Sequence, residues 1–324
     1  MREWEYSEFT NLLHNYNFQP HIQGLTISDD INRAKKTILA ISGQLAKPKK
    51  PVKLKKVLAI IACYNDEDII AQVIASALAE DVDVRLIDNW SFDNTWSIIS
   101  NIARQNSRVE VERFPADGPS DDYEWEKILN HKALIAKNSG YDWAIHWDSD
   151  DLRESPWEDF NLVEAISAVD ELGYNAIDHI DINFRPTDKN YSVDIPLDDY
   201  FTHFEFYEKK RRLNRINCWK CSVAPDCDLA IQGGHEVVFT GRKVFPLKFI
   251  YKHYPFRSPE QIRNKFSRDR YQRVQTEHKT KNWHSHFAHL NPNPQVVWKK
   301  EDLIPYEDYH KNFIVERLSG IGIA

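Results

Sequence analysis

Glycine is scarce in this 324-residue chain, and its ten glycines include no phosphate-cradling loop. No Gly-x-Gly-x-x-Gly follows the first strongly apolar segment and no P-loop occurs, which speaks against a dinucleotide-dependent dehydrogenase and a P-loop kinase. Long apolar runs are also missing. The longest clean one, Val57 to Cys63, is the size of a strand and far short of the roughly 20 residues that cross a bilayer. The first residues, Met-Arg-Glu-Trp-Glu-Tyr, show no apolar signal core, so the expected location is the cytoplasm. There is no basic excess: 42 Lys and Arg stand against 49 Asp and Glu, a net charge of −7, which argues against a nucleic-acid partner. There are four cysteines, and in a cytosolic chain they stay reduced.

What is present is ordinary globular material, 42% hydrophobic and 28% charged, with ten Trp, 14 Tyr and 16 Phe to build a core. Residues 1 to about 45 read as helical, with Ser28 to Asp30 capping a helix through Ile31, Ala34 and Ile38. Residues 46–56 hold six Lys and two Pro, the composition of an extended linker, with contact to an anionic membrane surface as the alternative. After it the pattern becomes regular. Val57–Cys63 is a continuous apolar run, as a buried parallel strand requires. Residues 67–80 place Ile69, Ile70, Val73, Ile74 and Ala77 on one helical face. Strands follow at 82–87, around 109–114 and at 143–147, with helices from about 95 and over 125–138. This alternation predicts an α/β fold whose mostly parallel sheet is covered by helices on both faces.

Ligands of such sheets bind beyond the carboxyl ends of the strands. Asn65 and Asp66 follow the first strand, Asp88 and Asn89 the second, and Asp148-Ser-Asp-Asp151 the fourth, so three acidic or amide clusters converge on one rim. Carboxylates this dense repel one another unless a cation or hydrogen bonds compensate, and hard oxygen ligands suit Mg2+ or Mn2+. An acidic helix N-terminus is the competing reading of the same run. Farther on, Cys218, Cys221 and Cys227 with His235 have a spacing that invites zinc, although Trp219 between the first two suggests a packed strand.

The stretches Ile60-Ile-Ala-Cys-Tyr-Asn-Asp66, Leu86-Ile-Asp-Asn-Trp-Ser-Phe-Asp-Asn-Thr95 and His146-Trp-Asp-Ser-Asp-Asp151 resemble, in order and separation, the three signatures of glycosyltransferase family 2. Gly233-Gly-His-Glu236 and His253-Tyr-Pro-Phe-Arg-Ser258 resemble segments of a bacterial subgroup of that family. The resemblance implies a GT-A domain over 56–290, between an N-terminal extension (1–55) and a C-terminal tail (291–324) packing on it. It implies transfer from a nucleoside-diphosphate sugar of UDP or GDP type to an acceptor hydroxyl, in bacterial polysaccharide or glycoconjugate synthesis. By the same resemblance Asn65, Asp66, Asp88 and Asp148 face the nucleotide, and Asp148 and Asp150 form the Asp-x-Asp element for ribose and Mn2+ or Mg2+. His253 is the late metal ligand.

Arg257 is the expected diphosphate clamp, because guanidinium binds phosphate oxygens in pairs. Glu236 is the expected general base, ahead of His235, with Asp226 and Asp228 behind them. Trp90, Phe92 and Trp147 suggest an aromatic acceptor site. A sugar-nucleotide pyrophosphorylase shares the layout but usually opens with a Gly-rich stretch where this chain has Cys63-Tyr-Asn-Asp66. A catalytically inactive GT-A binding module is the non-enzymatic alternative, and peripheral contact with the inner face of a membrane is compatible with any of these.

Overall fold

The structure is a computed structural model, and it describes residues 20–27, 36–42, 48–157, 159–206, 215–245, 247–265 and 295–306. Its centre is a six-stranded sheet. Strand β3 (Val57–Cys63) pairs in parallel with β4 (Asp83–Asp88) on one side and with β6 (Trp143–Asp148) on the other, and β5 (Val109–Arg113) extends the sheet beyond β4. Two antiparallel strands, β11 (Cys218–Lys220) and β8 (Ala176–Ile177), complete the other edge.

Every residue of β3 is buried, and the alternation of a strand explains why. Val57, Ala59, Ile61 and Cys63 enter a core built with α1 (Ile70–Ala79), α2 (Thr95–Gln105) and α4 (Leu162–Glu171). Leu58, Ile60 and Ala62 enter a second core on the opposite face, against Ile128, Leu129 and Ala136 of α3 (Trp125–Asn138). A strand apolar on both faces can only be covered on both.

A second sheet runs in the order β13 (Ile304–Pro305), β10 (His203–Phe206), β9 (His179–Phe184), β12 (Phe249–His253), β7 (Asp151–Glu154). It decides the geometry of the rim. The chain leaves β6 at Asp148, turns, and enters β7 at Asp151, so the acidic run links two strands and does not open a helix. Strand β12 is antiparallel to β7 and parallel to β9, and its last residue, His253, lies opposite both Asp151 and Asn183.

Two expectations need correction. Residues Pro20–Ile27 and Lys36–Ser42 pair as antiparallel strands β1 and β2, so Ile38 lies in a strand and not in a helix; the proposed cap at 28–30 is outside the described residues. The β-branched Thr37, Ile38 and Ile41 of Lys-Thr-Ile-Leu-Ala-Ile-Ser suit a strand better than the capping signal suits a helix. The Lys/Pro segment is not a free linker either. Lys50 pairs with Glu164 and Lys55 with Asp170, while the Val52 amide donates to Glu171 and the Lys55 amide to Ser167, which docks the segment along the acidic face of α4.

Helix α5 (Pro259–Asn264) follows β12, and 266–294 lies outside the described residues. No helix among the described residues is long and apolar enough to cross a membrane.

Candidate active site at the carboxyl rim

The loops after β3 and β4 are stapled together. Asn65 takes a positive φ of 54°, which asparagine tolerates; its amide donates to Ser91 Oγ (3.0 Å) and its Oδ1 accepts the Phe92 amide (3.0 Å). The Asp66 amide donates to Thr95 Oγ1 at 2.8 Å. Asp66 Oδ2 accepts the Ser149 hydroxyl at 2.6 Å, which ties the first loop to the acidic turn after β6. Asp88 is fully buried; it accepts the Ser91 amide, and the Arg113 Nε lies 3.3 Å away. Burial pushes the Asp88 carboxyl up, and Ser91 and Arg113 oppose that. The rim therefore does bring Asn65, Asp66, Asp88 and Asp148 to one end of the sheet, with Asn65 and Asp66 visibly bracing it.

Beyond β6 the three carboxylates differ sharply. Asp148 is 29% exposed, Asp150 9% and Asp151 0%. Burial alone raises Asp148, but the cations around it, Lys132 and Arg215 among them, hold it at about 2. Asp150 also lies well below the usual carboxylate range: burial is outweighed by Lys265, His253 and Arg257. Asp151 is pushed the other way, by burial first and then by Asp148. Asp151 Oδ2 accepts the Asp148 amide (3.2 Å) and Arg153 (3.4 Å), whereas its buried Oδ1 has no hydrogen-bond partner among the described residues.

His253 faces this cluster in a defined tautomer. Asn183 donates its Nδ2 hydrogen to Asp181 (3.1 Å), so its Oδ1 is an acceptor and takes the hydrogen of His253 Nδ1 at 2.8 Å. The other ring nitrogen of His253, Nε2, then faces Asp150 Oδ1 at 3.6 Å. A ring nitrogen and a carboxylate oxygen facing each other, beside the buried Asp151 Oδ1, are groups that can hold a cation. Ligand atoms of Asp150, Asp151 and His253 all lie within 4.8 Å of one another, the one such grouping among the described residues.

The donor set, two carboxylates and an imidazole, fits Mn2+ or Mg2+. Asp150 and His253 are two of the three ligands expected from sequence. Asp151 takes the third place in this grouping, and Asp148 lies outside it, with His146 Nε2 3.5 Å from its Oδ1. Asp151 belonged to the recognised acidic run, but only the register of β7 against β12 reveals that it shares a site with His253. Asn183, which sets the tautomer, carried no sequence signal beyond its place in an alternating strand.

Arg257 departs from its expected role. It is 1% exposed, holds Asp68 through two bonds of 2.7 Å, donates to the Tyr254 carbonyl, and lies 3.8 Å from Asp66 and 4.0 Å from Asp150. A guanidinium so committed braces the rim and has little left for a diphosphate. Lys265 stands in the more suitable place, 3.2 Å from Asp150 Oδ2 and lining a 210 Å³ cavity with Tyr64, Asn65, Asp66 and Phe92.

The Gly233–Glu236 turn packs beside the rim, with Gly233 O accepting from Trp125 and Gly234 against His146. Glu236 lies 3.4 Å from Arg242, and His235 Nδ1 accepts from Arg215 at 2.6 Å. Asp226 accepts from Thr240, and Asp228 accepts the amides of Ala230 and Ile231, so both serve local turns.

Trp147 is a core residue with 0% exposure and Trp90 lies against Arg113, which leaves Phe92, at 70%, as the exposed aromatic of the three. The zinc reading fails on packing. Cys218 and Trp219 lie in β11, burial pushes the Cys218 thiol up and the Cys221 thiol up to about 12, and no zinc-like grouping of these cysteines occurs among the described residues.

Residues 58–123 match the family model described as Glycosyl transferase family 2. The match takes in the loops after β3 and β4 and ends before the acidic turn. No curated protein matches the chain. Among solved structures, a mannosyltransferase from Pyrobaculum calidifontis in complex with GDP-Man and Mn2+ is similar at 18% identity and a TM-score of 0.32, over 43% of this chain and 38% of that one. The fold is α/β, with a helix-flanked central sheet.

Proposed function

We propose that this protein is a glycosyltransferase that moves a sugar from a nucleoside-diphosphate donor, of UDP or GDP type, to an acceptor hydroxyl. The observation that carries the reading is the Asp150–Asp151–His253 grouping at the carboxyl rim of a sheet whose first strands match family 2. In this reading residues 56–290 form the transferase domain, flanked by extensions at 1–55 and 291–324. The work is in the cytoplasm or at the inner face of a membrane, in bacterial polysaccharide or glycoconjugate synthesis.

Asp150, Asp151 and His253 would hold Mn2+ or Mg2+, which when bound offsets the charge that builds on the departing diphosphate. Asp88 and the more exposed Asp148 orient the nucleoside. Lys265 supplies positive charge at the phosphates, and Arg257 keeps the loops of Asp66 and Asp68 in place beneath it. Glu236 takes the proton of the acceptor hydroxyl, with His235 as the second candidate. Arg242 Nη2 lies 3.4 Å from Glu236 Oε2 and orients that carboxylate.

Calorimetry with UDP, GDP and dTDP, each with Mn2+ and with EDTA, tests the reading. One diphosphate should bind in a metal-dependent manner, and Asp150→Ala should abolish that dependence. A folded protein that binds none of the three would refute it.

A further inference from the structure

Lys132 occupies the middle of α3 with 0% exposure, and no carboxylate of the described residues lies within ion-pair distance of it. An unpaired buried ammonium is expensive, and a hydrophobic side chain of the same length would pack there more cheaply. Its partners show what it accomplishes. An ammonium only donates, so both groups it meets must accept: the Trp147 carbonyl at 3.1 Å and His146 Nδ1 at 2.9 Å. His146 is 2% exposed, and burial together with Lys132 keeps the ring neutral. With Nδ1 accepting, the single ring hydrogen sits on Nε2.

That hydrogen faces Asp148 Oδ1, 3.5 Å away, a long contact of the kind that shortens once substrate is bound. The ring has no room to turn aside. A Cβ added at Gly234, whose φ is +91°, would lie 2.8 Å from His146 Nε2. Trp125 borders the same ring at 5.8 Å between centroids, and the Lys132 ammonium stands over Trp125. Asp148 is the most exposed carboxylate of the acidic run. One of its oxygens faces His146, and its side chain is 29% exposed.

We propose that Lys132 and His146 are positioning residues: Lys132 fixes His146 as an Nε2–H donor, which holds one oxygen of Asp148 and leaves the other for the ribose hydroxyls of the nucleotide. The inference rests on the reading that the rim binds a nucleoside diphosphate. The Gly233–Gly234 turn belongs to the same device, because only a residue without a side chain lets the backbone close over the imidazole.

The experiment is a double-mutant cycle of Lys132→Met and Asp148→Asn, read as the affinity for the nucleoside diphosphate that wild type binds, with thermal melts to verify folding. Lys132→Met should melt no lower than wild type yet bind about ten-fold more weakly. In the Asp148→Asn background the same change should have almost no further effect. Additive effects, or full affinity in folded Lys132→Met, would overturn the proposal and leave the nucleotide-binding reading standing.

Nitrogen chemical shifts of the His146 ring give a second arm that needs no ligand. Wild type should show the Nε2–H form, and Lys132→Met should lose it. An Nδ1–H ring in wild type would overturn the proposal even if no nucleotide bound.

Discussion

Asn183→Leu should weaken Mn2+ binding without touching any ligand of the metal. Asn183 is 1% exposed, and its carbonyl accepts the His253 Nδ1 hydrogen at 2.8 Å. Leucine of similar volume leaves Nδ1 without an acceptor, so the tautomer that presents Nε2 to Asp150 loses its advantage. Asp181 Oδ1 stands 4.0 Å from Nδ1 and cannot replace the bond without movement. Loss of a neutral hydrogen bond costs about 1 kcal/mol, and removal of partners that orient metal ligands typically costs 10–100-fold in affinity. The expected result is a fall in Mn2+ affinity within that range, measured by titration against the paramagnetic signal of free Mn2+. A circular-dichroism melt should confirm a folded variant. Unchanged Mn2+ affinity in folded Asn183→Leu would refute the argument from tautomer.

Arg257→Ala should act on stability first: it strands Asp68 beside Asp66 and Asp150, at a cost of about 3–5 kcal/mol visible in urea denaturation. Lys265→Ala should leave the urea midpoint within about 0.5 kcal/mol of wild type and lower affinity for the diphosphate more than for the free nucleoside. Gly234→Ala should destabilise by about 1–3 kcal/mol and reduce turnover, since the new Cβ meets His146 at 2.8 Å and Leu129 at 3.2 Å with φ at +91°.

Burial holds the Lys132 ammonium down to about 8 from an ordinary 10.5, against the pull of Asp148 and Asp151. Between those pH values the unfolded chain binds a proton that the folded chain does not. Stability should therefore rise with pH across that window, by roughly 3 kcal/mol for this group, and Lys132→Met should flatten the rise in urea midpoints at pH 7.5 and 10.

Much of this site was legible in the sequence because parallel strands announce themselves. Val57–Cys63 is apolar at every position, and such a strand needs cover on both faces; once it is placed, the polar residues after each strand must meet at one rim. Helix α3 appears at the expected bounds for a similar reason, since Ile128, Leu129, Lys132 and Ala136 recur at helical spacing. Contacts between segments far apart in sequence were not legible. Arg257 looked like a phosphate ligand because nothing local reveals that Asp68, 189 residues away, claims its guanidinium. Asp151 joins His253 only through the register of β7 on β12, and nothing local pairs Lys132 with His146. The Lys-rich segment at 46–56 has the composition of a linker, yet Glu164, Asp170 and Glu171 on α4 give its cations a surface to dock on.

The most direct test of the central claim is release of nucleoside diphosphate from a panel of UDP-, GDP- and dTDP-sugars with a mixed set of hydroxyl acceptors, in Mn2+, Mg2+ or EDTA, for wild type, Asp150→Ala and His253→Ala. The account predicts release from one donor class with divalent metal, abolished by EDTA and reduced at least a hundred-fold in both variants. Release that persists in EDTA, or that Asp150→Ala and His253→Ala leave intact, would contradict it.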